Sequence, residues 1–105
     1  IKKIKKDAIE LEKAGCFAIV LEKIPASLAK EITKLVTIPI IGIGAGADVD
    51  GQVLVMHDML GLNTNFNPRF LRRYSDLATI VNEAVTKYIS DVKTKTFPNK
   101  SEEYN

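Results

Sequence analysis

Residues 17–62 read FAIVLEKIPASLAKEITKLVTIPIIGIGAGADVDGQVLVMHDMLGL, two short apolar runs with a helical pattern between them. The first run, residues 17–21, is continuously apolar and rich in β-formers, which predicts a strand covered on both faces, as in parallel sheets. It stops at Glu22, a carboxylate that reads as buried. The second run, residues 38–43, carries Pro39, which has no N–H to give a ladder and so belongs at a strand's start. It opens into Gly42, Gly44 and Gly46. Between the runs, Pro25 suits a first helical turn, and Leu28, Ile32, Leu35 and Val36 repeat along one side, predicting a helix over 25–35.

Upstream, Ile4, Ala8, Ile9 and Leu11 fall at helical spacing among lysines and glutamates, and Gly15 follows where a helix ends. That predicts an amphipathic helix over 2–13. Helix, strand, helix, strand with tight joins is the α/β rhythm, and it requires parallel strands joined by crossovers. Downstream, residues 45–51 form a loop with Asp50-Gly51 as its turn signal. Residues 52–55 read as a third strand and 57–60 as a brief helix ended by Gly61, although periodicity equally allows one helix over 52–60. Asn63, Asn65, Asn67 and Pro68 mark an irregular stretch. Leu77, Ile80, Val81, Ala84, Val85, Tyr88, Ile89 and Val92 define a long helix, capped by Ser75 or Asp76, whose stripe is core or subunit interface. The tail from Phe97 is polar and is expected to be loosely held.

Composition narrows the classes. With 46% hydrophobic and 27% charged residues over 105 positions, the chain is a folded domain or part of one. Fifteen basic against 13 acidic residues leave a net charge of +2, too small a field to argue for nucleic acid or an anionic membrane, and Lys2, Lys3, Lys5 and Lys6 read as a solvated helix face. The single Cys16 allows no internal disulfide and points to a reducing compartment. No apolar run nears the ~20 residues of a membrane helix. The first residue is Ile1 rather than Met, which reads as a fragment or processed form. Strands apolar on both faces need cover on both, and two or three of them cannot close a barrel, so the expected fold is part of a larger α/β domain.

The strings V-L-E-x-x-P, I-P-x-I-G-I-G-A-G and D-G-Q-V-L-V-M-H-D-M-L-G closely resemble the ketopantoate hydroxymethyltransferase family. G-x-G-x-G alone is weak; the D-G-Q-V-L-V-x-H-D run behind it is far more specific. The resemblance implies that residues 1–105 are the C-terminal part of a (β/α)8 TIM barrel of the phosphoenolpyruvate-binding type, about strands six to eight plus a C-terminal helix. It further implies a homo-oligomer, commonly a decamer, in the cytoplasm, or in mitochondria of a eukaryote. The implied reaction transfers a hydroxymethyl group from 5,10-methylenetetrahydrofolate to 3-methyl-2-oxobutanoate, giving 2-dehydropantoate, with Mg2+ chelated by the keto acid.

By the same resemblance Glu22 is the proton acceptor. Barrel active sites gather at the C-terminal ends of strands, where Glu22 stands, and a partly desolvated carboxylate there is a stronger base than one in water. The rival reading has Glu22 ending a strand at the surface, screened by Lys23. Gly44 and Gly46 are candidate substrate-binding positions, with tight packing at a barrel rim as the equal alternative. The family's metal carboxylates lie upstream, so no Mg2+ ligand is expected in this chain, and Asp48 and Asp50 read as turn chemistry. His57 and Asp58, adjacent on a helix, point apart and are expected to buttress it; Gln52 is expected to make a structural hydrogen bond. Without the upstream residues the chain alone should not turn over. The rival functions are a non-catalytic remnant or split-barrel subunit that folds with a partner chain, and another phosphate-binding barrel enzyme.

Overall fold

The computed structural model describes residues 1–105, which divide into two compact units, Ile1–Val55 with Asn67–Arg72, and Met56–Phe66 with Arg73–Asn105. The first unit holds α1 (Lys2–Lys13), β1 (Ile19–Glu22), α2 (Ala26–Leu35), β2 (Ile40–Ile43) and β3 (Gly51–Gln52). The strands form one sheet in the order β1-β2-β3, parallel throughout. The α/β reading of the sequence therefore holds for this unit.

Helix α1 occupies its predicted span and ends at Gly15, where the Gly15 amide donates to Glu12 and the Cys16 amide to Leu11. Helix α2 follows Pro25 and buries Leu28, Ala29 and Ile32. These meet Ala8, Ile19, Leu21, Val36, Ile40 and Ala45 in one core. Ile32 and Ile40 have no exposed surface, so each contributes about 1.5–3 kcal/mol of transfer free energy.

Strand β1 is shorter than its apolar run. The ladder begins at Ile19, whose amide donates to the Pro39 carbonyl, and Phe17 lies outside it, 89% exposed. Strand β2 likewise begins at Ile40 rather than 38, its first amide donating to the Asp50 carboxylate at 2.8 Å. The cover that both faces were expected to need is present on one of them. Ile19 and Leu21 are buried in the core, whereas Val20, pointing the other way, is 60% exposed. Within this unit α1 and α2 both pack on the face that bears Ile19 and Leu21. The third strand is also corrected, since β3 pairs only Gly51 with Ile41 and Gln52 with Gly42, and Val53 adds one amide to the Gly42 carbonyl. Val53 and Val55 are exposed, and residues 53–55 continue in no strand.

The second unit holds α3 (Met56–Met59), α4 (Leu77–Lys93) and a 3-10 turn over Lys100–Glu102. The alternative of one helix over 52–60 fails, because α3 has only four residues. Gly61 ends it at φ +74°, with its amide on Asp58 and the Leu62 amide on His57, a Schellman closure. Asp76 caps α4, as read from sequence, but its carboxylate accepts from the Thr79 hydroxyl instead of a helix amide. The amides of Leu77 and Ala78 donate to the carbonyls of Leu60 and Gly61, which satisfies two donors a side-chain cap would otherwise serve. Helix α4 buries none of its residues; Ile80, Val81, Val85, Tyr88, Ile89 and Val92 are all exposed. Nor is the tail loosely held. Phe97 meets Tyr88 edge-on, with centroids 5.6 Å apart, and Asn99 and Glu102 form a reciprocal capping box. No helix is long and apolar enough to cross a membrane.

Candidate functional site

The C-terminal ends of β1 and β2 lie side by side, in the register Leu21 with Gly42 and Glu22 with Ile43. Because side chains alternate along a strand, Glu22 shares its face with Val20, opposite the core that Ile19 and Leu21 enter. The carboxylate thus stands at the strand's end on the face opposite α1 and α2. It is exposed, which corrects the buried reading. It forms no ion pair with Lys23.

Immediately after Glu22 the backbone turns through Lys23 at φ +52°, and the Lys23 amide donates to the Ile43 carbonyl at 2.9 Å. A lysine here adopts the left-handed conformation that glycine adopts more readily. The chain then enters α2 through Pro25. Across from it the glycine loop follows β2. Gly44 sits at φ +65° with the Phe70 ring packed on it, so that a Cβ at 44 would fall 3.0 Å from the ring. Gly46, at φ +81°, is pressed on α2, and a Cβ there would fall 2.4 Å from the Ala26 methyl. Packing therefore accounts for both glycines. They also line a groove of about 660 Å³, together with Lys23, Pro25, Arg69 and Phe70.

Gln52 makes the structural hydrogen bond expected of it, donating from its amide to the Gly46 carbonyl at 2.8 Å. In the second unit Asp58 is buried and accepts from the Asn63 amide at 3.3 Å, while His57 is exposed, so the pair makes no relay. Arg73 closes the irregular stretch by donating to the Asn63 and Phe66 carbonyls.

A divalent cation such as Mg2+ asks for several oxygen ligands at one point. The residues present do not fit one. Asp48 pairs with Lys30, Asp50 is engaged by the Ile40 amide, and no three His, Cys, Asp or Glu side chains converge.

Sequence reading singled out Gly44 and Gly46, which line the groove, and Glu22, which does not, but missed Lys23 as a groove residue, and Arg69 and Phe70 altogether. The last two return to the groove some way along the chain, and no local pattern announces that return. The one available signal was a cation directly behind a strand-terminal carboxylate.

Comparison with known proteins gives one consistent result. The family profile described as ketopantoate hydroxymethyltransferase matches residues 1–100. A Bacteroides thetaiotaomicron protein named 3-methyl-2-oxobutanoate hydroxymethyltransferase is 62% identical over 103 residues, covering 98% of this chain and 38% of that relative. Proteins of the same name from Parabacteroides distasonis, 61% identical over 103 residues, and Cytophaga hutchinsonii, 62% identical over 98, cover 38% and 36% of their own lengths. The chain thus spans well under half the length of the relatives it matches.

Proposed function

The chain belongs to the ketopantoate hydroxymethyltransferase family, and from that premise we propose that the intact protein moves a hydroxymethyl group from 5,10-methylenetetrahydrofolate to 3-methyl-2-oxobutanoate, giving 2-dehydropantoate. The remaining staves of a (β/α)8 barrel would adjoin this sheet and enclose the face that bears Val20 and Glu22. In that setting Glu22 is the proton acceptor. The carbon beside the ketone carries an acidic hydrogen; Glu22 takes it, and the electron pair passes into the carbonyl as an enolate. Water takes the methylene carbon from the two folate nitrogens as formaldehyde, tetrahydrofolate leaves with both nitrogens protonated, and the enolate carbon attacks that aldehyde, whose oxygen accepts a proton to become the new hydroxyl. A base must lie within hydrogen-bond reach of the proton it removes, and a strand terminus on an open face lets substrate approach.

The single observation supporting this role is the placement of Glu22 at the end of β1, on the sheet face opposite the core, beside the glycine loop. The Mg2+ of the family reading belongs to carboxylates outside this chain, where it would stabilise the enolate oxygen.

The experiment is deuterium exchange at the third carbon of 3-methyl-2-oxobutanoate, followed by NMR in the intact enzyme without the one-carbon donor. Glu22→Gln should abolish exchange while leaving the fold unchanged. Exchange at the unmodified rate in that variant would remove Glu22 from the chemistry.

A further inference from the structure

The groove beside Glu22 has a charge pattern that proton removal does not use. Two of its lining residues, Lys23 and Arg69, are cations, and none is acidic. Both are exposed, and the side chain of neither meets a carboxylate of this chain, whereas Lys5, Lys13 and Lys30 are each paired with one. The entry to α2 adds to this. It has no side-chain cap and no acidic residue in its first turn, so its positive end is uncompensated where Pro25 and Ala26 form the wall. Lys23 also holds a backbone conformation better suited to glycine, yet carries a cationic side chain. The remaining wall is apolar and includes Pro25, Pro68 and Phe70. A groove of this kind fits a ligand with a flat apolar body and an anionic end.

We infer that this groove holds the one-carbon donor, with Lys23 and Arg69 binding the carboxylates of its glutamyl tail and the apolar wall packing against its ring portion. The inference rests on the reaction proposed above. Of the two substrates, the keto acid is a five-carbon molecule that must put its third carbon at Glu22, and a space of about 660 Å³ is far larger than it needs. That volume falls in the range of about 300–1,000 Å³ typical of sites for larger ligands. A guanidinium can grip a carboxylate through two parallel hydrogen bonds, and an ammonium adds a point charge. Lys23 and Arg69 are on this account donor-binding residues, and they decide between donors with and without the tail.

Equilibrium titration of the intact enzyme tests this, with tetrahydrofolate and with tetrahydropteroate, the same ring system lacking the glutamate. The unmodified enzyme should bind tetrahydrofolate about tenfold more tightly, as one charge-assisted contact allows. In the Lys23→Gln/Arg69→Gln variant that preference should vanish, with tetrahydropteroate bound as before; Arg69→Lys should retain part of it. Equal affinity of the unmodified enzyme for the two ligands would overturn the inference, as would a preference that survives in the double variant. Because binding is read without turnover, these results stand apart from deuterium exchange, which tests Glu22 alone. Failure of both ring compounds to bind the unmodified enzyme would remove the donor itself from the proposed reaction, and the groove's assignment with it.

Discussion

The Gln52 side-chain amide donates to the Gly46 carbonyl at 2.8 Å, so the last residue of β3 fastens the loop that leaves β2. The bond is exposed, and water can replace it at modest cost. Gln52→Ala should therefore lower stability by only about 0.5–1.5 kcal/mol in urea unfolding. Its larger effect should be faster amide exchange across residues 44–47. Unchanged exchange there would mean the loop is held by packing alone.

Packing at that loop is itself testable. Gly46→Ala places a methyl 2.4 Å from the Ala26 Cβ and 3.1 Å from its Cα, at a φ of +81°. Steric and conformational costs act together, and a loss of about 2–4 kcal/mol is expected. Adding Ala26→Gly should recover part of the loss, since it removes the methyl but leaves the dihedral unchanged. A double variant no better than Gly46→Ala would put the whole cost in the backbone.

Helices α3 and α4 end in the same closure with opposite suitability. Gly61 ends α3 at φ +74°, and a Cβ there would meet the Ser75 carbonyl oxygen at 2.3 Å. Lys95 ends α4 at φ +59°, with its amide on Val92 and the Thr96 amide on Asp91. Lys95→Gly should thus stabilise by about 0.5–1 kcal/mol, while Gly61→Ala should destabilise by more than about 2 kcal/mol. Thermal unfolding of both variants checks the signs, and equal signs would contradict the shared motif.

Glu12 ties the end of α1 to the start of the second apolar run, accepting from the Thr37 hydroxyl and from the amides of Thr37 and Ile38. Those bonds, the hydroxyl first, hold its carboxyl below the usual glutamate value. A lowered value in the folded state means that the carboxylate's contribution is present above the unfolded value and disappears as pH falls through the folded one. Urea midpoints measured from neutral pH down to about pH 3 should fall more steeply for the unmodified chain than for Glu12→Gln. Parallel curves would assign the acid sensitivity to other groups.

How far the sequence led can be judged residue by residue. Helix α1 was legible because Ile4, Ala8 and Leu11 alternate with charges and Gly15 marks its end. The start of β1 was not legible, because it is set by its partner. Pro39 can accept from Ile19 but cannot donate, so the ladder opens there and Phe17 is left outside. The predicted third strand failed for a related reason, since β3 exists only where β2 offers it a ladder, at Ile41 and Gly42, and local propensity carries no record of that. Glu22 was found by its place at a run's end, but its exposure depends on which strand face has cover, a tertiary property. The groove was half visible. Gly44 and Gly46 announce a special loop, whereas the Phe70 ring that requires glycine at 44 arrives from a distant stretch.

Strand β1 also separates two kinds of tolerance. Exchanging Ile19 or Leu21 for another aliphatic residue of similar volume changes packing and leaves the acid where it is. Deleting one position between Cys16 and Glu22 keeps the segment as greasy as before, yet in an otherwise fixed ladder it rotates the carboxylate from the bare side of the pleat into the helical side, where it would be an unpaired charge among aliphatics. Odd and even are therefore not interchangeable here: the count of residues ahead of the acid, more than their identity, decides which side of the sheet the carboxylate occupies.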